Sequence, residues 1–192
     1  MNPGKSALRK EMRQRRRSLS PQQQAQAERV LAKRLFADMR NRKCRRIAAY
    51  LANDGEVSTQ AVIQDCWHRG VEVYLPVLNP LKKGHLLFVR YEPGSPMRDN
   101  RFGIAEPDPT RNKALPSRHL DLVLMPLVAF DDQGNRLGMG GGFYDRSFEF
   151  RRPDKQVNTH KPRLIGLAHN CQRCVQLPIE PWDIPLSEII AV

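Results

Sequence analysis

Long apolar runs are missing from this 192-residue chain, and no stretch approaches the roughly 20 apolar residues that a membrane-spanning helix needs. The first segment, charged from Lys5 to Arg17, also lacks the apolar core of a secretory signal, so a cytoplasmic protein without a membrane partner is expected. Cysteines are few. Cys44, Cys66, Cys171 and Cys174 include one Cys-x-x-Cys pair, yet neither Cys44 nor Cys66 has a partner two or three residues away, which leaves a tetrahedral zinc site short of ligands. Reduced thiols are the ordinary expectation. Acidic residues are scarce at the start: residues 1–46 hold 15 Lys/Arg against 3 Asp/Glu, while the remainder holds 17 of each, so the first quarter carries the whole net charge of +12. That field attracts anions, nucleotide or nucleic acid among them, although most of Arg13, Arg15, Arg16, Arg17 and Arg40 to Arg46 read as a solvated helix face. Aromatic residues are scarce in this region too. Phe36 is the only one before Tyr50, which weakens a base-stacking, nucleic-acid-binding alternative.

What is present points to one α/β domain over residues 1–192. Two helices are predicted at the N-terminus, Pro3 to about Arg17 and Pro21 to about Met39, the second with Ser20 as N-cap, Pro21 in the first helical position and Gln23 closing a capping box. A helix follows from about Thr59 to Arg69, with Gly70 as its stop. Strands are predicted at Ile47–Leu51, Val71–Val77, Leu86–Tyr91, Asp121–Ala129 and Arg163–Ala168. Their nearly continuous apolar character suits a mainly parallel, Rossmann-like sheet with helices on both faces and a helical N-terminus. Residues 93–118, rich in proline, read as a long functional loop region. Arg151–Pro162 reads as a polar surface excursion.

Four glycines crowd into Gly138-Met139-Gly140-Gly141-Gly142, with Arg136 before them and Phe143-Tyr144-Asp145-Arg146 after. Residues without a Cβ let backbone N–H groups approach a ligand closely, and a strand–loop–helix context with such a loop is suited to an anion. Neither familiar phosphate motif fits. A Walker A loop ends in Gly-Lys-Ser/Thr, whereas Phe143 and Tyr144 follow Gly142, and a dinucleotide fingerprint counted from Gly138 places its third glycine at Phe143.

The stretch from Arg136 to Asp145 strongly resembles the Arg-x-Gly-x-Gly-x-Gly-aromatic-Tyr-Asp signature of the 5-formyltetrahydrofolate cyclo-ligases, or methenyltetrahydrofolate synthetases. Four more segments follow in that family's order: Lys5-Ser6-Ala7-Leu8-Arg9, Asp54-Gly55-Glu56-Val57-Ser58-Thr59, Phe102-Gly103-Ile104-Ala105-Glu106-Pro107 and Trp182-Asp183-Ile184-Pro185-Leu186. The resemblance implies an ATP- and magnesium-dependent conversion of 5-formyltetrahydrofolate to 5,10-methenyltetrahydrofolate, with ADP and phosphate released. It implies that Arg136, Leu137, Gly138, Met139, Gly140, Gly141, Gly142, Phe143 and Tyr144 wrap ATP together with Lys5 and Arg9. Leu51, Glu56 and the segment Met139–Phe143 then meet the folate, with Glu106 and Phe102 lining the same pocket. Asp145 and Asp183 match the magnesium positions, and Arg136, Tyr144 and Asp145 are the catalytic candidates. Tyr144 has two readings, orienting phosphate through its hydroxyl or packing beneath the loop. The folate substrate, polyglutamylated forms included, is the expected partner of a monomer. No Ser/His/Asp or Cys/His nucleophile signature stands out, which suits a reaction driven by alignment and charge neutralisation.

Overall fold

The computed structural model describes residues 4–41, 43–152 and 162–192. The expected helix start at Pro3 and most of the Arg151–Pro162 excursion lie outside these residues. The chain begins with helices α1 (Lys5–Arg17) and α2 (Pro21–Asn41). The capping box forms as predicted: the Ser20 amide donates to Gln23 Oε1 at 2.8 Å and the Gln23 amide donates to Ser20 Oγ at 3.3 Å, satisfying helix-end donors. There follow β1 (Arg46–Ala48), α3 (Gln60–His68), β2 (Glu72–Leu78), β3 (Leu86–Arg90), β4 (Met97–Asp99), β5 (Ala105–Pro107) and β6 (Ala114–Leu115). The second half adds β7 (Leu122–Pro126), β8 (Ala129–Phe130), β9 (Arg136–Leu137), the short α4 (Phe143–Ser147), β10 (Arg163–Ala168) and β11 (Glu188–Ala191).

Seven strands form one sheet in the order β11-β10-β7-β1-β2-β3-β6. From β11 to β2 every neighbouring pair is parallel, while β3 and β6 add antiparallel pairs at the edge. A central parallel strand must be apolar on both faces, and β7 shows how the sequence meets that demand. Leu122 and Leu124 face one core with Ile47, Leu75 and Ile165, under Leu31 and Leu35 of α2 and Ile63 and Cys66 of α3. Val123 and Met125 face the opposite core with Tyr74, Phe88 and Leu164, under Phe148 just beyond α4. Each such side chain, fully buried, contributes about 1.5–3 kcal/mol relative to exposure. Long helices thus cover one face, whereas α4, a following 3-10 turn and the Ile184 segment cover the other. Helix α1 lies across the end of the sheet, with Leu8 and Met12 packed on Val128, Ala129, Leu137 and Leu177.

Four parts of the chain differ from the sequence expectation. The apolar run expected as one strand to Ala129 breaks after Pro126, because the carbonyls of Leu127 and Val128 accept from Gln172 Nε2 at 2.6 and 3.0 Å instead of from a strand. The chain then re-forms as β8, antiparallel to β9. The first strand stops at Ala48, and Tyr50 turns its carbonyl to Thr59 Oγ1 at 2.5 Å, leaving Leu51 in the loop. Residues 93–118 contain a small hairpin, β4 with β5, and the edge strand β6. The C-terminal strand β11 was not foreseen.

Candidate active site

Strand β1 lies between β2 and β7, so connections leave the sheet's centre in opposite directions on its two sides. Ligands of open α/β sheets collect at the carboxyl ends of strands beside such a switch point. The loop after β1 carries Leu51 and Glu56, and the segment after β7 leads through β8 and β9 to the glycine loop. Two stretches some 80 residues apart in sequence therefore emerge at the same end of adjacent strands.

The glycine loop is held through its carbonyls. Arg9 Nε donates to Gly138 O at 2.8 Å, Arg146 Nη2 donates to Gly141 O, and Arg146 Nε donates to Gly84 O at 2.8 Å. Among the described residues, no backbone N–H from Gly138 to Gly142 donates to a protein acceptor. Gly140 at φ +95° and Gly142 at φ +61° adopt backbone conformations that favour glycine. With its carbonyls turned to arginines, the loop has unpaired amides that an anion could satisfy. Arg136 stands at the start of the loop: its side chain is 6% exposed, its Nη2 donates to Asp145 Oδ1 at 2.6 Å, and its buried Nε has no acceptor. A buried guanidinium N–H left unsatisfied is costly, and an anionic oxygen would satisfy it.

Asp145 Oδ1 also accepts from the Ile184 amide at 3.2 Å, which brings Asp183 beside it. Asp183 Oδ2 accepts from the Glu180 amide at 2.9 Å. Each carboxylate keeps a second oxygen without a described protein partner. Among the described residues no group of three His, Cys, Asp or Glu side chains is placed to hold a metal, so any ion here would rely on phosphate or water for further ligands. That donor set fits magnesium, which takes one or two carboxylates and completes its shell from phosphates and water.

Glu56 sits in a half-closed environment. Its Oε2 accepts from the Asn53 amide at 3.1 Å, and Arg16 Nη2 lies 3.7 Å from Oε1. Burial pushes its carboxyl above the usual carboxylate range, and the Arg16 guanidinium opposes that shift. Tyr144 is half-buried, its ring stacked on Phe148 at 6.4 Å, and desolvation of its hydroxyl raises the pKa well above the ordinary tyrosine value with Glu56 adding to the shift. Its hydroxyl stays protonated at neutral pH and can donate to an anionic oxygen. Phe143 meets Phe102 edge to face at 6.2 Å, and Phe102, Met139 and Trp182 are all more than half exposed around the opening.

Several residues have partners or burial that the sequence did not show. Lys5 is paired with Glu180 at 2.9 Å. Glu106 is buried away from the opening, accepting from the Leu78 amide at 3.3 Å and Asn100 Nδ2 at 3.1 Å. Arg16, read as part of a solvated face, is fully buried. His169 Nε2 lies 3.2 Å from Gly55 O, behind the Glu56 loop. No motif marked His169 or Gln172, whose roles arise from the path of the chain.

A glycine loop with unpaired amides and a half-buried carboxylate at the switch point of a mainly parallel sheet define the class: an α/β protein with a candidate ligand site at the carboxyl ends of two central strands. The chain belongs to the 5-formyltetrahydrofolate cyclo-ligase family, a family of ligases, whose model matches residues 1–192. It is 45% identical over 183 residues to the 5-formyltetrahydrofolate cyclo-ligase of Haemophilus influenzae, covering 95% of both chains. To the protein of the same name from Escherichia coli strain K12 it is 42% identical over 179 residues, or 93% of this chain and 95% of that one. The solution structure of Aquifex aeolicus 5,10-methenyltetrahydrofolate synthetase matches with a TM-score of 0.79 at 26% identity, covering 97% of this chain and 89% of the other. No helix among the described residues is long and apolar enough to cross a membrane.

Proposed function

We propose that this protein closes 5-formyltetrahydrofolate to 5,10-methenyltetrahydrofolate while converting ATP to ADP and phosphate. The observation that carries the reading is the juxtaposition, at one switch point, of unpaired loop amides and the half-buried Glu56 carboxylate. The family supplies the substrate. In this reading the triphosphate lies against the amides of residues 138–142, with Arg136 and Arg9 neutralising its charge and Tyr144 donating toward it. The pterin ring turns its amino and ring N–H donors to Glu56, which accepts them as charge-assisted hydrogen bonds. Leu51 and the exposed face of Met139–Phe143 supply apolar contact.

A formyl oxygen is a poor leaving group, so the difficulty lies in removing it. When the oxygen attacks the γ-phosphorus, the bond to the bridging oxygen breaks and ADP departs. N10 then attacks the activated formyl carbon and loses its proton to solvent. Phosphate leaves with the former formyl oxygen, and the positive charge remains delocalised over N5, the new carbon and N10. The protein forms no covalent bond: it aligns oxygen with phosphorus and stabilises charge spreading over the transferring group. Asp145 and Asp183 would hold magnesium, which supplies neutralisation of the phosphate oxygens when bound. Tyr144 and Arg136, already ordered beneath the loop, require little rearrangement.

Purified protein given ATP, magnesium and 5-formyltetrahydrofolate is expected to produce the methenyl chromophore, read as its ultraviolet absorbance. Folded protein that yields no absorbance at saturating ATP refutes the reading.

A further inference from the structure

One face of α1 serves both halves of the site. Near its start Arg9 holds the glycine loop through Gly138 O. Seven residues on, two helical turns and about 10 Å along the axis, Arg16 enters the loop that carries Glu56. Arg16 Nε donates to Asp54 O at 2.7 Å, Nη2 donates to Asp54 Oδ2 at 2.8 Å, and Nη1 donates to Leu127 O at 3.1 Å. The same Nη2 faces Glu56 Oε1 at 3.7 Å. One fully buried guanidinium thus ties the turn after β7 to the loop after β1. Asp54 is gripped from three sides, by Arg13 Nε at 2.7 Å and by Arg17 as well as Arg16, and it adopts φ +55°, uncommon for a residue with a side chain. A backbone conformation of this kind persists only where its surroundings determine it.

A buried charge needs a reason to be kept, since an apolar residue of similar volume often packs as well or better. Here the planar fork does what no apolar residue or lysine does: it bonds a backbone carbonyl on each of two loops and a carboxylate at once. We propose that Arg16 is the positioning residue of the folate subsite, fixing the Asp54–Glu56 turn so that the Glu56 carboxylate is preset for the pterin. This inference rests on the folate reading of Glu56 given above. Arg16 acts through Glu56 and touches no substrate. The nucleotide half, anchored separately by Arg9, is independent of it.

Calorimetry gives the Kd for 5-formyltetrahydrofolate, and steady-state turnover gives the KM for ATP, in wild type, Arg16→Met, Arg16→Lys, Glu56→Gln and the double variant Arg16→Met/Glu56→Gln. Arg16→Met is expected to weaken folate binding about tenfold or more, with ATP KM changed less than about twofold, and Arg16→Lys to recover only part of the loss. In the Glu56→Gln background, Arg16→Met is expected to add less than about twofold, because its effect runs through the missing carboxylate. If Arg16→Met does not fold, Arg16→Lys and Asp54→Asn carry the same comparison. Unchanged folate affinity, an equal loss toward ATP, or additive losses in the double variant overturn the proposal. Folate binding without turnover by wild type refutes the catalytic reading alone, and the binding comparison still decides the role of Arg16. A wild type that binds no folate overturns both.

Discussion

Arg136 and Asp145, nine residues apart at the two ends of the glycine loop, are joined by a 2.6 Å hydrogen bond from Nη2 to Oδ1. The bond pins the loop at both ends while its middle is held by Arg9 and Arg146. It also leaves Arg136 Nε and the second Asp145 oxygen without a described protein partner. Asp145→Asn keeps the shape and removes the charge. It is expected to lower kcat about 100-fold and to raise the magnesium concentration needed for half-maximal turnover. A magnesium titration unchanged by the substitution contradicts the metal assignment.

Gly142 combines φ +61° with a close neighbour, since an added Cβ would lie 2.8 Å from Arg146 Nη1. Gly142→Ala therefore adds about 1–2 kcal/mol of backbone strain and pushes aside the arginine that holds Gly141. ATP KM is expected to rise about tenfold while folate Kd stays within about twofold. Initial rates over an ATP series test this, and a selective loss of folate affinity would show that the two subsites have been exchanged.

Glu56 must be ionised to accept two donors, and burial raises its carboxyl above the usual range. Lowering the pH from neutral therefore protonates it earlier than an ordinary glutamate, and folate kcat/KM is expected to fall as that proton binds. Glu56→Gln is expected to raise folate KM about 10- to 100-fold at neutral pH and to remove this acid limb. A wild-type profile that stays flat into the ordinary carboxylate range argues against a folate-binding Glu56.

Asp54 behaves oppositely. Burial disfavours its charge, but Arg13, Arg16 and Arg17 outweigh that and hold its carboxyl at about 2, below the ordinary 3.8. A carboxyl lowered on folding stabilises the protein above its unfolded value and loses that contribution as pH falls through the folded one. Denaturant melts of wild type and Asp54→Asn are expected to differ most above about pH 4, wild type being more stable, and to converge as pH approaches 2. A gap that persists to pH 2 contradicts the ion-pair account.

The fold was largely legible because helix periodicity and apolar strands report directly on burial, and Ser20 with Gln23 marked a helix start that forms as expected. The glycine loop was legible too, since Gly140 and Gly142 take the positive φ that four crowded glycines suggest. Breaks in a strand were harder to read. Whether the run to Ala129 continues depends on Gln172, 44 residues from Val128, and no local pattern carries that contact. Arg16 was hidden for the opposite reason, since four basic residues in Arg13–Arg17 read as one solvated face. Only the docking of α1 on the sheet's end separates the buried arginine from its exposed neighbours.

Transfer of the formyl oxygen to phosphate is the step on which the chemistry turns. With substrate labelled by heavy oxygen in the formyl group, mass spectrometry of the released phosphate is expected to find one labelled oxygen per turnover. Label appearing in water, with none in phosphate, contradicts phosphorylation of that oxygen and the mechanism built on it.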